Sequence, residues 1–321
     1  MNESLSMIFR VLTALSIALF VVGIVKPEWI RFGKKQPSRA IIIVIAIAVL
    51  MIGLIGESAN QFTGKKNAEA INHGKILGEA AYAVTDDILR CDPGTKPGRA
   101  GVSNDEKTSA GIRYMVKTPV NYNASIAHPL LMVYAPGGRD RYETENYTYL
   151  TNEATAAGFI VVYADHRKMT PETIEALADI PGLIEEKWCV DKKRIFLTGH
   201  SDGGTTAMGI AFMNDTKHIP AAIAPSAAGI RDEDLQAYHC PNPIPVMVMH
   251  SSQDTLFPGY GKEAIRWWAA CNGCGTASSE KDSDGCITYT GCIKNVTTRY
   301  CEGTGRHPEW PGNNKAIIEF F

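Results

Sequence analysis

The chain has 321 residues, of which 45% are hydrophobic, and a formal net charge of −2 at pH 7. This length is sufficient for one large domain with extra segments. The near-neutral charge argues against a protein that binds nucleic acid through a basic surface, so no nucleic-acid partner is predicted.

Two apolar segments stand near the N-terminus, at about residues 5–25 and 40–56. The first contains only one charged residue, Arg10, and the second contains none. Each is close to the roughly 20 residues that a helix needs to cross a bilayer. The loop between them, residues 26–39, has five basic residues and one acidic residue. Basic short loops stay in the cytoplasm, so residues 1–56 are predicted to be a membrane anchor, a transmembrane helical hairpin.

An alternative for the same region is a signal peptide followed by one anchor helix. Arg10 ahead of an apolar stretch fits a signal peptide, but no A-x-A-like cleavage site follows Val25. Both interpretations export the rest of the chain. The predicted location is therefore the cell membrane, with the C-terminal region facing the periplasm or the outside.

All eight cysteines lie after the apolar segments. An even number in an exported region predicts disulfide bonds. Cys271 and Cys274 form a C-x-x-C pair, which also occurs in zinc sites. A zinc site would need a second close pair, and Cys286 and Cys292 are too far apart in sequence to form one. No metal site is predicted.

After a predicted linker at residues 57–100, short apolar segments alternate with helical patterns. The predicted strands are 112–116, 130–134, 159–163, 194–198, 221–224, 246–249 and 296–300. The predicted helices are 144–157, 171–188, 204–213, 260–270 and 313–321. This alternation predicts an α/β domain over residues 101–321, with a mostly parallel central sheet and helices on both faces.

The motif Gly199-His200-Ser201-Asp202-Gly203 stands between a predicted strand and a predicted helix. This is the context in which G-x-S-x-G carries a nucleophilic serine on a tight turn. Glycines let the backbone pass closely, and the helix N-terminus directs N–H groups toward developing negative charge. Ser201 is the predicted nucleophile, and Gly199, His200 and Gly203 complete its turn. The alternative is a structural glycine turn with an inactive serine.

A serine hydroxyl needs a base to accept its proton, and in folds with this motif the chain order is serine, acid, histidine. Four histidines follow Ser201. His218 and His239 precede predicted strands, and His250 precedes the acid candidate. His307 follows the last predicted strand and is the predicted base.

The predicted acid is Asp254, because it follows the strand at 246–249 and ligands gather beyond the carboxyl ends of such strands. A carboxylate there would hold the imidazole in one tautomer. An ordinary loop or helix-capping aspartate is the alternative. Asp282 and Asp284 are weaker candidates, because they lie in the cysteine-rich stretch 271–295.

The oxyanion hole needs two backbone donors. One is predicted to be the N–H of Asp202, the residue after the nucleophile. The other should follow an early strand, where the chain reads Ala135-Pro136-Gly137-Gly138. Proline has no N–H, so Gly137 or Gly138 is the predicted donor.

Four segments resemble the polyhydroxybutyrate depolymerase-like and feruloyl-esterase-like branch of the α/β-hydrolase superfamily. They are Gly199–Gly204, His250–Asp254, Trp267–Cys274 and His307–Gly312, and the resemblance covers about residues 110–321. It implies an α/β-hydrolase fold, a triad of Ser201, Asp254 and His307, and a disulfide between Cys274 and Cys292. The chain departs from the branch at Ala-Pro-Gly-Gly, where a His-Gly pair is more usual, and at Pro-Glu-Trp after His307, where the branch has Thr-Trp or Ala-Trp.

A second disulfide is predicted between Cys189 and Cys240. Each precedes a predicted strand, and the two thiols could meet if those strands are neighbours. The remaining cysteines, Cys91, Cys271, Cys286 and Cys301, stay unassigned.

The sequence therefore predicts an extracytoplasmic carboxylic-ester hydrolase that works through an acyl-enzyme, without a metal or organic cofactor. Polyhydroxyalkanoate-like esters and hydroxycinnamoyl or acetyl esters are the expected substrates, as small molecules or polymers. Trp310 and Trp267 are predicted to line the substrate pocket, although aromatic residues more often serve packing. The alternatives are a serine peptidase of the same fold and a catalytically silent, membrane-anchored binding module.

Overall fold

A computed structural model describes residues 75–82, 89–278 and 280–321, and isolated helical residues at 14, 17, 45, 47–49 and 51. The chain divides into two units, residues 1–73 and 74–321. Apart from those isolated positions, the predicted membrane hairpin lies outside the described residues. Within the described part of the chain, no helix has the length and apolar character needed to span a membrane. The hairpin therefore remains a prediction.

The C-terminal unit is built on a nine-stranded sheet in the order β1-β2-β4-β3-β5-β6-β7-β9-β8. The strands are β1 Val102–Lys107, β2 Arg113–Lys117, β3 His128–Tyr134, β4 Ile160–Ala164, β5 Val190–His200, β6 Ala222–Ser226, β7 Val246–Ser251, β8 Cys286–Tyr289 and β9 Thr298–Gly303. The run from β4 to β9 is parallel, and the outer strands β1, β2 and β8 pair antiparallel. The predicted mostly parallel sheet is confirmed.

Helices cover both faces of this sheet. They are α1 Arg141–Thr148, α2 Thr151–Ala156, α3 Pro171–Ala178, α4 Ile180–Lys187, α5 Asp202–Phe212, α6 Asp232–Leu235, α7 Tyr260–Cys271 and α8 Asn314–Phe320. Along β3, Leu130 and Met132 pack on the side that includes α5 and α7, and Leu131 and Val133 pack on the side of α2 and α8. Because β3 is buried on both faces, it is continuously apolar rather than alternating.

The sequence patterns missed β1 and β8 because both lie at sheet edges, where side chains are polar or half-exposed. The predicted helix 144–157 is two helices. Tyr149 between them is in the left-handed region at φ 54°, which ends α1. The predicted helix 171–188 also divides, at Asp179, which stands between α3 and α4. Pro181 follows closely and has no N–H for the helical ladder.

The described part of the predicted linker belongs to the folded domain. The N–H of Gly78 donates to Thr155 Oγ1 at 2.6 Å, and the N–H of Gly98 donates to the Lys187 carbonyl at 2.7 Å. The ring of Trp188 packs against Gly98. These contacts attach the described residues before 101 to the unit that carries the sheet.

The eight cysteines form four disulfides: Cys91–Cys189, Cys240–Cys271, Cys274–Cys292 and Cys286–Cys301. The predicted Cys274–Cys292 bond is present, and the C-x-x-C pair is not a zinc site because both of its sulfurs are in disulfides. The predicted Cys189–Cys240 bond is wrong. Cys189 precedes β5 and Cys240 precedes β7, and β6 lies between those two strands.

Candidate active site

The carboxyl ends of β3, β5, β7 and β9 lie along one edge of the sheet, because these strands are parallel. Ser201 directly follows β5, Asp254 follows β7, and His307 follows β9. The turn with Gly137 follows β3. Segments separated by more than 100 residues in the chain therefore meet at one edge, as ligand-binding groups do in sheets of this kind.

Ser201 sits in a strained turn between β5 and α5, with φ 56° and ψ −119°. Its N–H donates to the carbonyl of Ser226 at the end of β6, at 2.9 Å. Few non-glycine residues adopt a positive φ, and such residues concentrate at functional sites. The turn holds the Ser201 side chain at the strand-to-helix junction, as the sequence motif predicts.

The glycines of the motif are required by backbone contacts. A Cβ on Gly203 would lie 2.0 Å from the carbonyl oxygen of Tyr134, and one on Gly199 would lie 2.6 Å from the carbonyl of Gly203. On Gly204, a Cβ would lie 2.4 Å from the carbonyl of Ser226. Only glycine lets β3, β5 and α5 approach this closely.

We expect Gly203→Ala to lower the free energy of unfolding by about 1–3 kcal/mol or more, because its methyl group would overlap a fixed backbone atom. The matched control is Gly182→Ala. Gly182 is an exposed helical glycine in α4, and a Cβ there would meet nothing within 4 Å. This control should stabilise the protein by about 0.5–1 kcal/mol. Chemical denaturation measures both, and equal effects would show that the contact with Tyr134 does not constrain residue 203.

Ser201, His307 and Asp254 form a continuous hydrogen-bonded chain. The Nε2 atom of His307 lies 2.9 Å from Ser201 Oγ, and its Nδ1 atom lies 2.7 Å from Asp254 Oδ2. A carboxylate can only accept, so Nδ1–H donates to it and Nε2 is left to accept from the serine hydroxyl. The structure thus brings the three predicted residues together in the geometry of an activated nucleophile.

Asp254 is buried, and both of its carboxylate oxygens accept hydrogen bonds. Its Oδ1 accepts the N–H groups of Leu256 and Phe257, each at 2.9 Å. Burial by itself raises the pKa of this carboxyl, but the Phe257 N–H and His307 outweigh it, and the net pKa lies below its usual value. Asp254 therefore stays ionised at neutral pH and can stabilise a protonated His307.

His250, which the chain order set aside as a base, lies near the same carboxylate. Its Nε2 is 3.5 Å from Asp254 Oδ2, but it donates to the carbonyl of Phe257 at 2.9 Å. Burial lowers its pKa. His250 therefore helps to hold the loop of Asp254. The weaker acid candidates Asp282 and Asp284 both contact Arg299 and do not replace Asp254.

His200, the residue before the nucleophile, positions the loop that carries His307. Its Nε2–H donates to the main-chain carbonyl of His307 at 2.6 Å, and its Nδ1 faces Ser226 Oγ at 3.0 Å. Burial lowers the pKa of His200 to about 4. The ring therefore stays neutral near pH 7 and keeps the one tautomer that this pair of contacts requires. The position of His200 next to Ser201 in the sequence did not indicate its hydrogen bond to the His307 carbonyl.

The two halves of the predicted oxyanion hole are adjacent. A Cβ on Gly137 would lie 3.1 Å from Asp202 Oδ2, so the turn after β3 faces the start of α5. This turn closes with a hydrogen bond from the Arg139 N–H to the Pro136 carbonyl at 3.1 Å, and Gly138 in it has φ +76°. The structure therefore places Gly137 beside Asp202, with Gly138 next in the same turn.

His166, which the sequence reasoning missed, joins these two halves. Its Nε2 hydrogen-bonds Asp202 Oδ2 at 2.9 Å, and its backbone N–H donates to the Arg139 carbonyl at 3.1 Å. His166 follows β4, which neighbours β3 in the sheet. Its position after a central parallel strand was the available signal, because such ends face the site.

The two tryptophans predicted for the pocket are far apart. Trp310 lies at the site, with its ring 6.2 Å from that of His200. Trp267 packs against Phe212 at the C-terminal end of α5, whereas Ser201 precedes the other end of this helix. A helix of that length separates its ends by about 15 Å, so the pocket assignment of Trp267 is wrong.

A cavity of about 340 Å³ lies beneath the loop that carries His307. Its lining is mostly polar and includes His200, His250, Asp254, Glu302 and Trp310. Ser201 is not part of this lining. The cavity therefore lies next to the acid and the base rather than at the nucleophile.

Comparisons with known proteins identify the fold. No protein-family model matches the chain. The chain is 25% identical to Feruloyl esterase B of Piromyces equi over 235 residues. This alignment covers 62% of this chain and 43% of that relative. The chain thus spans less than half the length of the relative.

An acetyl xylan esterase from Aspergillus awamori superposes with a TM-score of 0.53 at 13% identity, covering 69% of this chain and all of that one. The chain therefore has an α/β-hydrolase-like fold. A CE1 ferulic acid esterase from Anaeromyces mucronatus is a more distant structural neighbour, with a TM-score of 0.46, 14% identity and coverage of 75% of this chain and 96% of that one. The sequence similarity to a feruloyl esterase agrees with the motif resemblance noted above.

Proposed function

We propose that this α/β-hydrolase cleaves carboxylic esters through an acyl-enzyme on Ser201. The observation that carries the proposal is the chain from Ser201 Oγ through His307 to the buried Asp254, with contacts of 2.9 and 2.7 Å. The similarity to a feruloyl esterase supports an ester rather than an amide as substrate.

In this mechanism, His307 Nε2 accepts the Ser201 proton while Oγ attacks the ester carbonyl. The negative oxygen that forms would accept from the N–H of Asp202 and from Gly137 or Gly138. His307 then gives its proton to the leaving alcohol. Water repeats the sequence on the acyl-enzyme and releases the acid, while Asp254 stabilises the imidazolium in both halves.

The proposed substrates are hydroxycinnamoyl or acetyl esters and polyhydroxyalkanoate-like esters. Feruloyl esterase B of Piromyces equi supports the first class. The rings of Tyr147 and Trp310, 6.2 Å apart, offer an aromatic surface close to His200 that suits a planar acyl group.

We also propose that the domain works outside the cytoplasm and is held at the membrane by the N-terminal segments. The four disulfides support an oxidising compartment, because cytoplasmic thiols are kept reduced.

The test of the proposed activity is a panel of chromogenic acetate, butyrate and octanoate esters, methyl ferulate, a hydroxybutyrate dimer and matched 4-nitroanilides. A fluorophosphonate probe should label Ser201. We expect hydrolysis of esters and labelling. Cleavage of anilides alone would indicate a peptidase, and no labelling would indicate a silent binding module.

We expect His166→Ala to lower kcat by roughly tenfold with little change in KM, because the loss of one bond to Asp202 loosens an oxyanion donor and not the substrate contacts. His166→Gln keeps a donor near Asp202 and should recover part of the rate. The exposed His239→Ala is the control. A rise in KM with unchanged kcat would show that His166 contacts substrate instead.

A further inference from the structure

Arg139 directly follows the turn that holds Gly137 and Gly138. Its main chain is fixed on both sides, because its N–H donates to Pro136 and its carbonyl accepts from His166, each at 3.1 Å. Its guanidinium carbon lies 4.4 Å from the centre of the Tyr147 ring. The side chain is half-buried. The cation therefore occupies a defined place beside the oxyanion turn.

The stacked Arg139–Tyr147 pair lies close to the reacting groups. The Tyr147 ring is 5.3 Å from the His200 ring, and the His200 ring is 5.4 Å from the His307 ring. Only His200 separates Tyr147 from the proposed base. The Arg139–Tyr147 pair therefore lies two ring contacts away from the proposed base.

Among the described residues, no carboxylate or other acceptor bonds the Arg139 guanidinium. The carboxylates of the surrounding segments bond elsewhere: Asp165 pairs with Arg141 at 3.1 Å, Asp202 with His166 at 2.9 Å, and Glu309 with Arg306 at 3.1 Å. Buried or half-buried charges are normally paired. Arg139 therefore presents a fork of N–H donors that this part of the protein does not use.

We propose that Arg139 binds a carboxylate on the substrate, so that the preferred esters are anionic, with a carboxylate near the scissile bond. Arginine suits this task because its planar fork donates two parallel hydrogen bonds to one carboxylate. The inference rests on the proposed esterase activity and specifies its substrate class.

The test compares two matched ester pairs on the full-length protein. For a carboxylate in the acyl part, the pair is mono-4-nitrophenyl glutarate and 4-nitrophenyl valerate. For a carboxylate in the alcohol part, it is 4-acetoxybenzoate and 4-acetoxybenzamide. For each pair, the ratio of kcat/KM for the anionic ester to that for the neutral ester is measured in wild type, Arg139→Gln, Arg139→Lys and the exposed control Arg266→Gln.

In at least one pair, we expect Arg139→Gln to lower this ratio by roughly tenfold or more, as the loss of a charged hydrogen bond predicts. Arg139→Lys should lose less, and Arg266→Gln should leave the ratio unchanged. An equal loss on both members of each pair, or no loss, would overturn the inference while leaving the esterase proposal intact. If the wild type hydrolyses none of the four esters, the esterase proposal itself fails, and this inference with it.

Discussion

Replacing Ser201 with alanine is expected to lower kcat for an ester substrate by roughly 10⁴-fold or more. The Ser201 hydroxyl is the only part of the hydrogen-bonded chain that the substitution removes, and His307 keeps its bond to Asp254 at 2.7 Å. The remaining oxyanion donors cannot supply a covalent route, so the acyl-enzyme is lost. Steady-state rates on a chromogenic ester, with the folded state checked by its thermal midpoint, measure the effect.

The matched control is Ser252→Ala. Ser252 is an exposed serine at the same edge of the sheet, and its hydroxyl donates to the Gly303 carbonyl at 3.2 Å. An exposed contact of this kind should leave kcat within roughly twofold. Fluorophosphonate labelling should persist in this control and disappear in Ser201→Ala. Full activity in Ser201→Ala would place the nucleophile at another residue.

Replacing Asp254 with asparagine is the second large effect we expect, a fall in kcat of roughly 10⁴-fold. Oδ1 of Asp254 accepts two backbone N–H groups, so the asparagine oxygen is expected to keep that position and direct its amide NH₂ at His307 Nδ1. Nδ1 would then have to accept, and the ring proton would move to Nε2. In that tautomer His307 cannot take the Ser201 proton.

Asp284→Asn is the control for this substitution. Asp284 is an exposed aspartate in the cysteine-rich stretch, with its Oδ2 3.4 Å from Arg299, and its loss should change kcat by no more than roughly twofold. Asp254→Asn should still be labelled slowly by the fluorophosphonate, because Ser201 remains. Comparable rates for Asp254→Asn and wild type would mean that another group orients His307.

Much of the site was predictable because its parts are local patterns. A strand, a glycine-flanked serine and a small-residue helix are contiguous in sequence, and the steric need for Gly199 and Gly203 follows from that turn. Asp254 and His307 were found through chain order, since the carboxyl ends of parallel strands share one edge. The disulfide Cys274–Cys292 was found through the resemblance alone.

Errors arose where the answer depended on which strands are neighbours or which face a side chain occupies. The Cys189–Cys240 pairing failed because β6 lies between β5 and β7. Trp267 was assigned to the pocket because it is aromatic, but its place near the C-terminal end of α5 depends on helix packing. The edge strands β1 and β8 were missed because half-exposed strands carry weak apolar patterns.

By itself, the sequence determined the α/β class, the nucleophile turn and the order of the three groups proposed for catalysis, because each of these depends on local backbone chemistry or on chain order. Only the tertiary structure decided the sheet order, the disulfide partners and the contacts that hold the site. Three features of the site depend on distances between segments that are remote in sequence. His200 bonds the main chain of His307, and His166 joins Asp202 to the turn after β3. Arg139, which stacks on Tyr147, has no carboxylate partner among the described residues. Such distances are set by packing, which no single segment encodes.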